Sequence, residues 1–448
     1  MYLDQVAKVL QGTLRGKNLL WTELQSDTRK IMPGQVYIAL KGEQFDGHDF
    51  LQEAEQKGAG ALIAEAKSVQ KKSYSIPVVM VEDTTQALGK LAHYWRAQFS
   101  IPIVGVTGSC GKTTVKSMIG NILSLAGNTL VSEGSFNNQF GLPFTLLKLN
   151  ASHQYGVFEL GANHLGEIDY LANLLKPTVS LITNVRQAHL AGFKTVQNIA
   201  QEKGQIYAHL DPEGTAIFNA EEAYLSEWEE LLHHQKKITF GLSQGDVFAQ
   251  EVVLGLSGST FVLRSPLEKQ KIQLSFPGQH NVMNALAAAT VAYALKIPMD
   301  CVVEGLETFT GVKGRLKGLR GPQGSWLIDD SYNANPDSFK AAVDVLQQAS
   351  GQKILVMGDM GELGEKAPAY HQEIGAYAKS KGVDQLLGVG TLSQFALKAF
   401  GEGAKGFSDK PTLIAHLTPL LNSKTTVLIK GSRLAGMEEV FHALTQQG

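Results

Sequence analysis

The stretch Val104-Gly105-Val106-Thr107-Gly108-Ser109-Cys110-Gly111-Lys112-Thr113-Thr114 decides the fold of this chain. It links a short apolar strand, residues 101–106, through a glycine-rich turn to a helix. The apolar residues of that helix recur at i, i+3, i+4, i+7 and i+8: Val115, Met118, Ile119, Ile122 and Leu123. This spacing predicts one helix face packed against a sheet. Backbone N–H groups in such a turn face an anion, so the stretch predicts a phosphate-binding loop with ATP as its ligand.

The residue types in the loop suit the binding of phosphate and Mg²⁺. The Lys112 ammonium is suited to the outer phosphates, and the Thr113 hydroxyl to Mg²⁺. The position five residues before Gly111 is Val106 rather than glycine, so the loop follows a shorter Thr-Gly-x-x-Gly-Lys-Thr form. The alternative is a tight connection without a ligand, which Gly-Lys-Thr-Thr at a helix start disfavours. The predicted nucleotide-binding residues of the loop are Thr107, Gly108, Ser109, Cys110, Gly111, Lys112, Thr113 and Thr114.

The composition is that of an ordinary globular protein. The chain has 448 residues, of which 44% are hydrophobic and 18% charged, and this length predicts roughly two to four domains. A formal net charge of −2 without a dense basic run gives no sign of a nucleic-acid or membrane partner. The two cysteines, Cys110 and Cys301, favour a reducing compartment. No signal-peptide pattern and no apolar run of about 18 residues occurs, so we expect a cytoplasmic protein. The near-neutral charge gives no reason to expect more than a monomer.

Strand and helix patterns divide the chain into three α/β units, assigned to residues 1–99, 100–312 and 313–448. We expect a small mixed α/β domain, then a mostly parallel sheet with helices on both faces, then a Rossmann-like α/β domain. Two of the strand patterns, 260–263 and 271–276, are expected as an insertion in the second unit. The predicted strands are 35–40, 61–64, 78–81, 101–106, 156–160, 179–183, 260–263, 271–276, 326–328, 354–357, 385–389 and 427–430. The predicted helices include 86–98, 281–295 and 338–348.

Two further residues, Glu159 and His189, are candidate metal ligands near the phosphate loop. Glu159 lies at the carboxyl end of an apolar strand, where open α/β sheets bind ligands. One interpretation is a Mg²⁺ ligand that works together with Thr113, and the other is a solvated strand end or a helix cap. His189 follows the next strand. It is either a metal ligand or, as lone histidines more often are, a structural residue.

Lys203 shares one face of a predicted helix with Val196, Ile199 and Ile206. A lysine in an apolar stripe usually extends its ammonium to water. The alternative is a desolvated lysine with a lowered pKa. Such a neutral amine can add CO₂ and become a carbamate, which is an anionic metal ligand on a long arm. The sequence leaves both interpretations open.

Together these features resemble the central domain of the Mur ligases, which are ATP-dependent amide-forming enzymes of peptidoglycan precursor synthesis. The resemblance rests on the loop, the Glu159 strand end, His189 in Asn-x-x-x-x-His-Leu, and Lys203, and it extends over the whole chain in a three-domain plan. It implies two Mg²⁺ ions, the first held by Thr113 and Glu159 and the second by His189 and a carbamylated Lys203. The catalytic residues that it implies are Lys112, Glu159, His189 and Lys203.

The resemblance includes further nucleotide-binding segments. His280-Asn281-Val-Met-Asn284 is similar to the start of the family's adenine-contacting helix. Gly314-Arg315 and Asp329-Asp330-Ser-Tyr-Asn are similar to third-domain segments that close over the nucleotide, with Arg315 near phosphate and Asp330 at the ribose. Cys110 departs from the Asn that is common at its position, so a side-chain amide contact is lost while the backbone N–H groups remain. The resemblance implies that Asn281, Asn284, Arg315 and Asp330 bind the nucleotide. Taken as isolated residues, they would more often be partners in surface salt bridges.

Other segments are similar to the family's substrate-binding parts. Residues 26–48 resemble the UDP-binding domain of the two later-acting branches. Residues 136–143, 330–338 and 430–433 resemble the branch that adds a D-alanyl-D-alanine dipeptide, and the Asp-Asn-Pro-Arg sequence typical of the diaminopimelate-adding branch does not occur in the chain. The substrate residues that this implies are Ser26, Asp27, Arg29, Lys41, Asp46, His48, Asn137, Asn138, Tyr332, Asn333, Asn335, Ser432 and Arg433.

The resemblance therefore implies a ligase that joins D-Ala-D-Ala to UDP-MurNAc-tripeptide through an acyl phosphate, with ATP and two Mg²⁺ ions. Three alternatives remain: a family member that adds the third stem residue, a folylpolyglutamate-type synthetase, and a nucleotide-dependent switch that forms no bond. The synthetases begin with their ATP-binding domain, whereas here another predicted domain precedes it. A switch would need the phosphate loop but neither Lys203 nor Asp330, and a kinase would need no amine as second substrate.

Overall fold

The computed structural model describes residues 1–42 and 44–446, whose strands form three separate sheets of five, nine and six strands. Each sheet separates two clusters of buried apolar side chains, one on either face. The chain therefore folds as three α/β domains, called here the N-terminal, central and C-terminal domains. Among the described residues, no helix combines the length and the apolar character that crossing a bilayer requires.

The elements of the N-terminal domain are α1 (Leu3–Leu10), β1 (Thr13–Arg15), β2 (Leu24–Gln25), β3 (Val36–Ile38), α2 (Leu51–Gln56), β4 (Ala61–Glu65), α3 (Ala66–Val69), β5 (Val78–Val81) and α4 (Thr84–Arg96). The sheet has the order β1-β5-β4-β3-β2, in which β1 is antiparallel to β5 and the other pairs are parallel. Side chains alternate along β3, so Val36 and Ile38 pack with α1 and α4 while Tyr37 packs with α2. Helices therefore cover both faces of this sheet.

The elements of the central domain are β6 (Ile103–Thr107), α5 (Lys112–Ala126), β7 (Thr129–Val131), α6 (Gly141–Leu146), β8 (Tyr155–Glu159), α7 (Glu167–Leu175), β9 (Val179–Ile182), α8 (Leu190–Phe193), α9 (Val196–Ala208), β10 (Thr215–Asn219), α10 (Leu225–Glu229), β11 (Lys236–Gly241), β12 (Val247–Gly255), β13 (Gly258–Arg264), β14 (Lys269–Leu274), α11 (Gln279–Ala294) and α12 (Met299–Glu307). The sheet order is β14-β13-β12-β11-β10-β9-β6-β8-β7. Helices α5, α11 and α12 cover one face, and α6, α7 and α9 cover the other. Because β8, β6 and β9 are adjacent and parallel, the residues that follow them meet at one edge of the sheet.

The elements of the C-terminal domain are β15 (Lys317–Arg320), β16 (Trp326–Asp330), α13 (Pro336–Gln347), β17 (Gln352–Gly358), α14 (Ala367–Ser380), β18 (Gln385–Val389), α15 (Ser393–Phe400), β19 (Ala404–Phe407), α16 (Lys410–Leu417), β20 (Thr425–Lys430) and α17 (Glu438–Thr445). The sheet order is β15-β16-β20-β17-β18-β19, and β15 is the antiparallel edge strand. Helix α13 begins with an Asn335 side-chain cap, whose Oδ1 accepts from the Ser338 amide at 2.8 Å, and with Pro336 in its first turn. Short 3₁₀ turns occur at Gly47–Phe50, Pro322–Gly324, Gly364–Lys366, Thr418–Leu420 and Arg433–Ala435.

The three-domain α/β fold predicted from the sequence is confirmed, and every predicted strand overlaps an observed one. The expected insertion of 260–263 and 271–276 is wrong in one respect, because β13 and β14 continue the central sheet as antiparallel strands. A register shift between Gln250 and Val253 interrupts the alternation in β12, which hid that strand from pattern analysis. The strands missed are β1, β2, β7, β10, β11, β12, β15 and β19, several of them only two to four residues long.

Candidate active site

A cavity of about 1050 Å³ lies between the central and C-terminal domains. It includes residues that follow the carboxyl ends of β6, β8 and β9, which is where open α/β sheets bind ligands. Residues predicted from the sequence line it from both sides. From the central domain they are Ser109, Cys110, Gly111, Lys112, Thr113, Thr114, Asn137, Asn138, Glu159, His189, Asn281 and Asn284, and from the C-terminal domain Arg315, Asp330, Tyr332, Asn333, Asn335, Ser432 and Arg433.

Other predicted residues stand back from the cavity. Thr107 is buried at the end of β6, where its hydroxyl donates to the Leu160 carbonyl oxygen at 2.8 Å. Gly108 lies directly after it, and Lys203 is buried on α9. The remaining ones all belong to the N-terminal domain: Ser26, Asp27, Arg29, Lys41, Asp46 and His48.

The phosphate loop is shaped by its glycines and by the end of β9. Gly108 and Gly111 have φ angles of +147° and +84°. At Gly108 a Cβ atom would lie 1.9 Å from Thr183 Oγ1, so a larger residue would displace the loop. Asn184 accepts from the Cys110 amide and donates to the Cys110 carbonyl oxygen, both at 3.0 Å. These contacts fix the loop so that the first residues of α5 line the cavity, as an anion site requires.

Lys112 contributes positive charge at the loop. Its Nζ donates to the Gly108 carbonyl oxygen at 2.7 Å. Desolvation lowers the pKa of Lys112, an effect that the charge of Glu159 opposes and that of Arg315 adds to. A bound polyphosphate would stabilise both cations, so the pocket is electrostatically prepared for an anion.

Glu159, the last residue of β8, has the environment of a cation ligand. Its side chain is 2% exposed, and Asn137 Nδ2 donates to its Oε1 at 2.8 Å. Its other oxygen, Oε2, is buried and has no hydrogen-bond partner within the described residues. A buried carboxylate oxygen in this state is costly, and a bound cation would remove the cost. Glu159 and the Thr113 hydroxyl both line the cavity, and they are the hard oxygen donors that Mg²⁺ prefers.

Lys116 is a buried lysine to which the sequence interpretation gave no role. It is 2% exposed, one turn of α5 beyond Lys112, and its Nζ lies 3.6 Å from Glu159 Oε2. Nζ also donates to the Gly134 carbonyl oxygen at 2.7 Å. Desolvation lowers the pKa of Lys116, an effect that Glu159 opposes. Since Lys116 does not line the cavity, it supports Glu159 from within the domain.

His189 precedes the short helix α8 and has a left-handed backbone, with φ +53°. Its Nδ1 is hydrogen-bonded to the carboxylate of Glu362 in the C-terminal domain. Its Nε2 has no hydrogen-bond partner in the part of the chain that the structure describes. In that same part, no group of three or more His, Cys, Asp or Glu side chains is placed to hold a metal. A cation at His189 would therefore need other ligands, such as phosphate oxygens or a modified lysine.

Lys203 is 1% exposed, which contradicts the interpretation that its ammonium extends to water. Neither a hydrogen bond nor an ion pair of its Nζ occurs within residues 1–42 and 44–446. Desolvation, followed by the charge of Lys112, lowers the pKa of Lys203 to about 7. The adjacent Glu202 is engaged elsewhere, since it accepts from the Gly166 and Ile168 amides at 2.7 and 2.6 Å at the start of α7. A substantial fraction of Lys203 is therefore a neutral amine at neutral pH.

The C-terminal domain contacts the phosphate loop directly. Arg315 Nη2 donates to Thr113 Oγ1 at 3.0 Å. Asn335 Nδ2 contacts Cys110 Sγ at 3.2 Å, so the residue that caps α13 also reaches the loop. Because both contacts join domains at the cavity, the two domains are closed on each other in this structure.

Asp330 and Lys430 form a buried ion pair at the ends of β16 and β20. Lys430 Nζ lies 2.6 Å from Asp330 Oδ2 and donates to the Asn333 carbonyl oxygen at 3.0 Å. Burial raises the pKa of Asp330, an effect that the Lys430 charge opposes. Close by, the Tyr332 hydroxyl donates to Ser135 Oγ at 2.7 Å in the central domain. These contacts fix the strand end that the sequence predicted for the ribose.

Asn281 and Asn284 lie at the start of α11, against the phosphate loop. Asn284 Nδ2 donates to Asn281 Oδ1 at 3.1 Å, and a Cβ atom on Gly111 would lie 2.6 Å from Asn284 Oδ1. Burial, followed by the Lys430 charge, lowers the pKa of His280 to about 4, so its imidazole is neutral. Amides and a neutral ring suit an uncharged base better than a phosphate.

The N-terminal residues predicted to bind substrate contact one another. Arg29 Nε and Nη2 donate to the two carboxylate oxygens of Asp27, both at 2.9 Å, although the Arg29 side chain is 83% exposed. This pairing holds the pKa of Asp27 at about 2. His48 is buried, with Nδ1 2.6 Å from Asp46 Oδ1 and Nε2 accepting from the Glu65 amide at 3.1 Å. Both ring nitrogens are used within the domain, which argues against direct contact of His48 with a substrate.

Sequence reasoning gave no role to two residues of this site, Lys116 and Glu362, and it named Lys430 only as part of the segment 430–433, without its pairing with Asp330. Lys430 ends β20 and Glu362 follows β17, so the rule that ligands bind beyond strand ends indicates both. Lys116 gives a weaker signal, because a lysine among apolar residues of a helix usually extends to water.

The fold and this site define a nucleotide-dependent α/β enzyme whose third domain closes over a phosphate loop. Three family models match successive parts of the chain. They are Mur ligase family, catalytic domain, at residues 22–96; Mur ligase middle domain, at residues 106–292; and Mur ligase, glutamate ligase domain, at residues 314–433. With relatives at 40% identity over its full length, the chain belongs to the Mur ligase family.

Individual relatives extend the match over all three domains. A UDP-N-acetylmuramoyl-tripeptide–D-alanyl-D-alanine ligase from Escherichia coli (strain K12) is 40% identical over 450 residues, covering 100% of this chain and 98% of the relative. A crystal structure of MurF from Acinetobacter baumannii has a TM-score of 0.92 at 36% identity, covering 99% of this chain and 98% of that one. MurF ligase from Thermotoga maritima in complex with ADP has a TM-score of 0.86 at 27% identity, covering 96% and 99%.

Proposed function

We propose that this chain is an ATP-dependent ligase that joins D-Ala-D-Ala to UDP-MurNAc-tripeptide, giving the pentapeptide precursor of peptidoglycan. The observation that carries the proposal is the cavity between the closed central and C-terminal domains, where the phosphate loop, Arg315 and Glu159 meet. Within the described residues, Glu159 Oε2 accepts no hydrogen bond. The choice of substrates is supported by the Escherichia coli relative, a ligase named for these two substrates, which matches this chain over its full length.

We also propose a separate function for each domain. Residues 1–99 bind the UDP end of the substrate, residues 100–312 bind ATP, and residues 313–448 close over the nucleotide and bind the dipeptide. Phe140 and Phe144 of the central domain pack against the N-terminal core. Their neighbours Asn137 and Asn138 line the cavity. A substrate bound along this segment would therefore reach from the N-terminal domain to the phosphate loop. At the UDP end, His48 would order the turn that presents the other substrate residues: Ser26, Asp27, Arg29, Lys41 and Asp46.

The chemistry requires positive charge where two anions meet. A peptide carboxylate attacks the γ-phosphorus of ATP, and the bond to the β,γ-bridging oxygen breaks to give an acyl phosphate and ADP. The amine of D-Ala-D-Ala then attacks the acyl carbon, and phosphate leaves as the tetrahedral intermediate collapses. Lys112 and Arg315 would offset the charge that the carboxylate and the triphosphate bring together.

Cations would share this role. Mg²⁺, when bound, would neutralise phosphate charge. Thr113 and Glu159 are the proposed ligands of one ion, and His189 with a carbamylated Lys203 those of a second. The neutral Lys203 amine would attack CO₂, forming an N–C bond and releasing one proton, and its pKa of about 7 supports this step.

The acyl phosphate must be protected from water. The contacts of Arg315 with Thr113 and of Asn335 with Cys110 support closure of the C-terminal domain over the reacting groups. Tyr332 and Asn333 belong to the same closing segment. Arg433 lines the cavity and is paired with Glu438 at 2.8 Å, and we propose that it and Ser432 bind the dipeptide carboxylate.

We propose that the enzyme works as a monomer in the cytoplasm. Cys110 and Cys301 are both free, as a reducing compartment favours. Analytical ultracentrifugation of the full chain, with and without ADP, would measure the oligomeric state.

The test is phosphate release from ATP with UDP-MurNAc-tripeptide, measured with D-Ala-D-Ala, with single amino acids and without any amine. We expect release to depend on both the nucleotide-peptide and the dipeptide. Lys203→Ala should lose this release, and short carboxylic acids in bicarbonate-free buffer should restore part of it by supplying the missing carboxylate.

The same assay separates the alternatives. Release with an amino acid in place of the dipeptide would indicate another branch of the family. Release with folate and glutamate would indicate the synthetase. An absence of stimulation by any amine would overturn the ligase proposal in favour of a nucleotide-binding switch.

A further inference from the structure

Residues with unusual backbone conformations meet where the C-terminal domain touches the His189 turn. His189 and Lys194, which flank α8, have φ angles of +53° and +68°, and Glu362 has +60°. The left-handed region is unfavourable for residues other than glycine, and such residues concentrate at functional sites. Two of the three, His189 and Glu362, are in direct contact.

Glu362 holds the turn through two separate groups. Its carboxylate is hydrogen-bonded to His189 Nδ1, and its backbone carbonyl oxygen accepts from the Ala191 amide at 3.2 Å. Glu362, its neighbours Gly361 and Leu363, and His189 all line the cavity. The Glu362 side chain is 56% exposed, but a simple surface ion pair would need neither the second contact nor a position at the cavity, so the arrangement indicates a function.

The contact determines which ring nitrogen carries the proton. An ionised carboxylate only accepts hydrogen bonds, so at this contact His189 Nδ1–H is the donor and the Glu362 carboxylate the acceptor. In a neutral imidazole with Nδ1 protonated, the lone pair resides on Nε2. Metal-binding histidines are commonly held in this way, by a carboxylate on the nitrogen that does not bind the metal.

We propose that Glu362 is a positioning residue for His189: on closure of the C-terminal domain its carboxylate fixes the Nδ1–H tautomer and turns the Nε2 lone pair toward the cavity. The inference rests on the proposed function, in which His189 binds the second cation. It makes that cation site depend on closure, because the ligand belongs to one domain and the group that orients it belongs to another.

The direct test is nuclear magnetic resonance of ¹⁵N-histidine-labelled full-length protein with ADP, in which His189→Gln assigns the His189 signals. We expect the Nδ1–H tautomer in the wild-type protein and in Glu362→Gln, whose amide oxygen can still accept. Glu362→Ala should move the ring toward the Nε2–H tautomer. Glu365→Ala, an exposed glutamate in the next turn, is the matched control and should leave the tautomer unchanged.

A second measurement separates positioning from a structural role. Titration with Mn²⁺ in the presence of ADP, followed by electron paramagnetic resonance, should show about 10–100-fold weaker binding of the second ion in Glu362→Ala, with the first ion unaffected. The turnover number should fall with it, while the KM for ATP and the thermal stability stay close to those of the wild-type protein.

If Glu362→Ala kept the His189 tautomer and the Mn²⁺ affinity of the wild-type protein, the positioning role would be overturned. If the wild-type protein instead showed no amine-dependent phosphate release, the proposed function would fail, and the tautomer measurement would still decide the role of Glu362.

Discussion

The two sides of the cavity that we propose for cations are built in different ways. Glu159 is almost fully buried, and its partners Asn137 and Lys116 belong, like Glu159 itself, to the central domain. His189 is partly exposed, has a left-handed backbone, and is held by Glu362 from the C-terminal domain. The Glu159 side is complete within one domain, whereas the His189 side is complete only where two domains meet.

The two sides therefore depend on different free energies. Folding of the central domain maintains the Glu159 side before any ligand binds. The His189 side depends on the free energy of domain closure, which is the kind of low-stability motion that ligands can control. Substitutions on the Glu159 side should therefore change both stability and cation affinity. Substitutions of His189 and Glu362 should change cation affinity with little change in stability.

The largest effect is expected for Glu159→Gln, which keeps the size of the side chain and removes its charge. Phosphate release in a single turnover should fall by about 10³-fold or more, or roughly 4 kcal/mol, because the proposed cation at the phosphates would lose its carboxylate ligand. Glu133→Gln is the matched control, since Glu133 is exposed and paired with Lys148. A loss of less than about tenfold would show that Glu159 is a structural strand end.

A smaller effect, about 3–4 kcal/mol on the free energy of unfolding, is expected for Lys116→Met. Removing one partner of a buried ion pair leaves the other charge uncompensated, which here is that of Glu159. Urea denaturation measures the loss, and Mg²⁺ with ADP should restore part of it because the cation replaces the missing charge. Lys148→Met, at an exposed pair, should cause little change. Equal stability of Lys116→Met and the wild-type protein would show that Lys116 does not stabilise the buried charge of Glu159.

Lys203→Met tests a buried lysine that has no hydrogen-bond or ion-pair partner within the described part of the chain. Unlike Lys116→Met, this substitution is expected to increase the free energy of unfolding. The pKa of about 7 in the folded chain lies below the ordinary 10.5, so the unfolded chain binds more protons between these values. Wild-type stability therefore rises with pH through this window, and the penalty of the buried ammonium is fully present below pH 7. In CO₂-free buffer, Lys203→Met should raise the free energy of unfolding by roughly 2–3 kcal/mol at pH 6, after allowance for imperfect packing.

That gain should shrink as the pH rises from 7 to 9, which urea denaturation at several pH values would measure. Lys194→Met, at the nearby turn, supplies the exposed control. A gain that did not depend on pH would show that the pKa of Lys203 is not lowered by burial.

The Glu159 side was largely predictable from the sequence, and the His189 side was not. The phosphate loop and the position of Glu159 at a strand end are local signals, although the sequence left open whether Glu159 is a metal ligand or a solvated strand end. Glu362 lies 173 residues after His189 along the chain. Their meeting depends on how two domains close, which no local periodicity records. Burial of Lys203 was one of two open interpretations, and only packing decided it, because an apolar helix face is compatible with either position of the ammonium.

The smallest effect is expected far from both sides, at Arg29 in the N-terminal domain. Its guanidinium is exposed, and an exposed ion pair with Asp27 contributes little to stability, so Arg29→Ala should leave the urea midpoint nearly unchanged. If Arg29 holds the diphosphate of the substrate, the KM for UDP-MurNAc-tripeptide should rise about 5–10-fold, while the KM for ATP is unchanged. Lys30→Ala, at the adjacent exposed residue, is the control. An equal change in both KM values would mean that Arg29 affects ATP binding as well as substrate binding. The N-terminal domain would then influence the cavity between the other two domains.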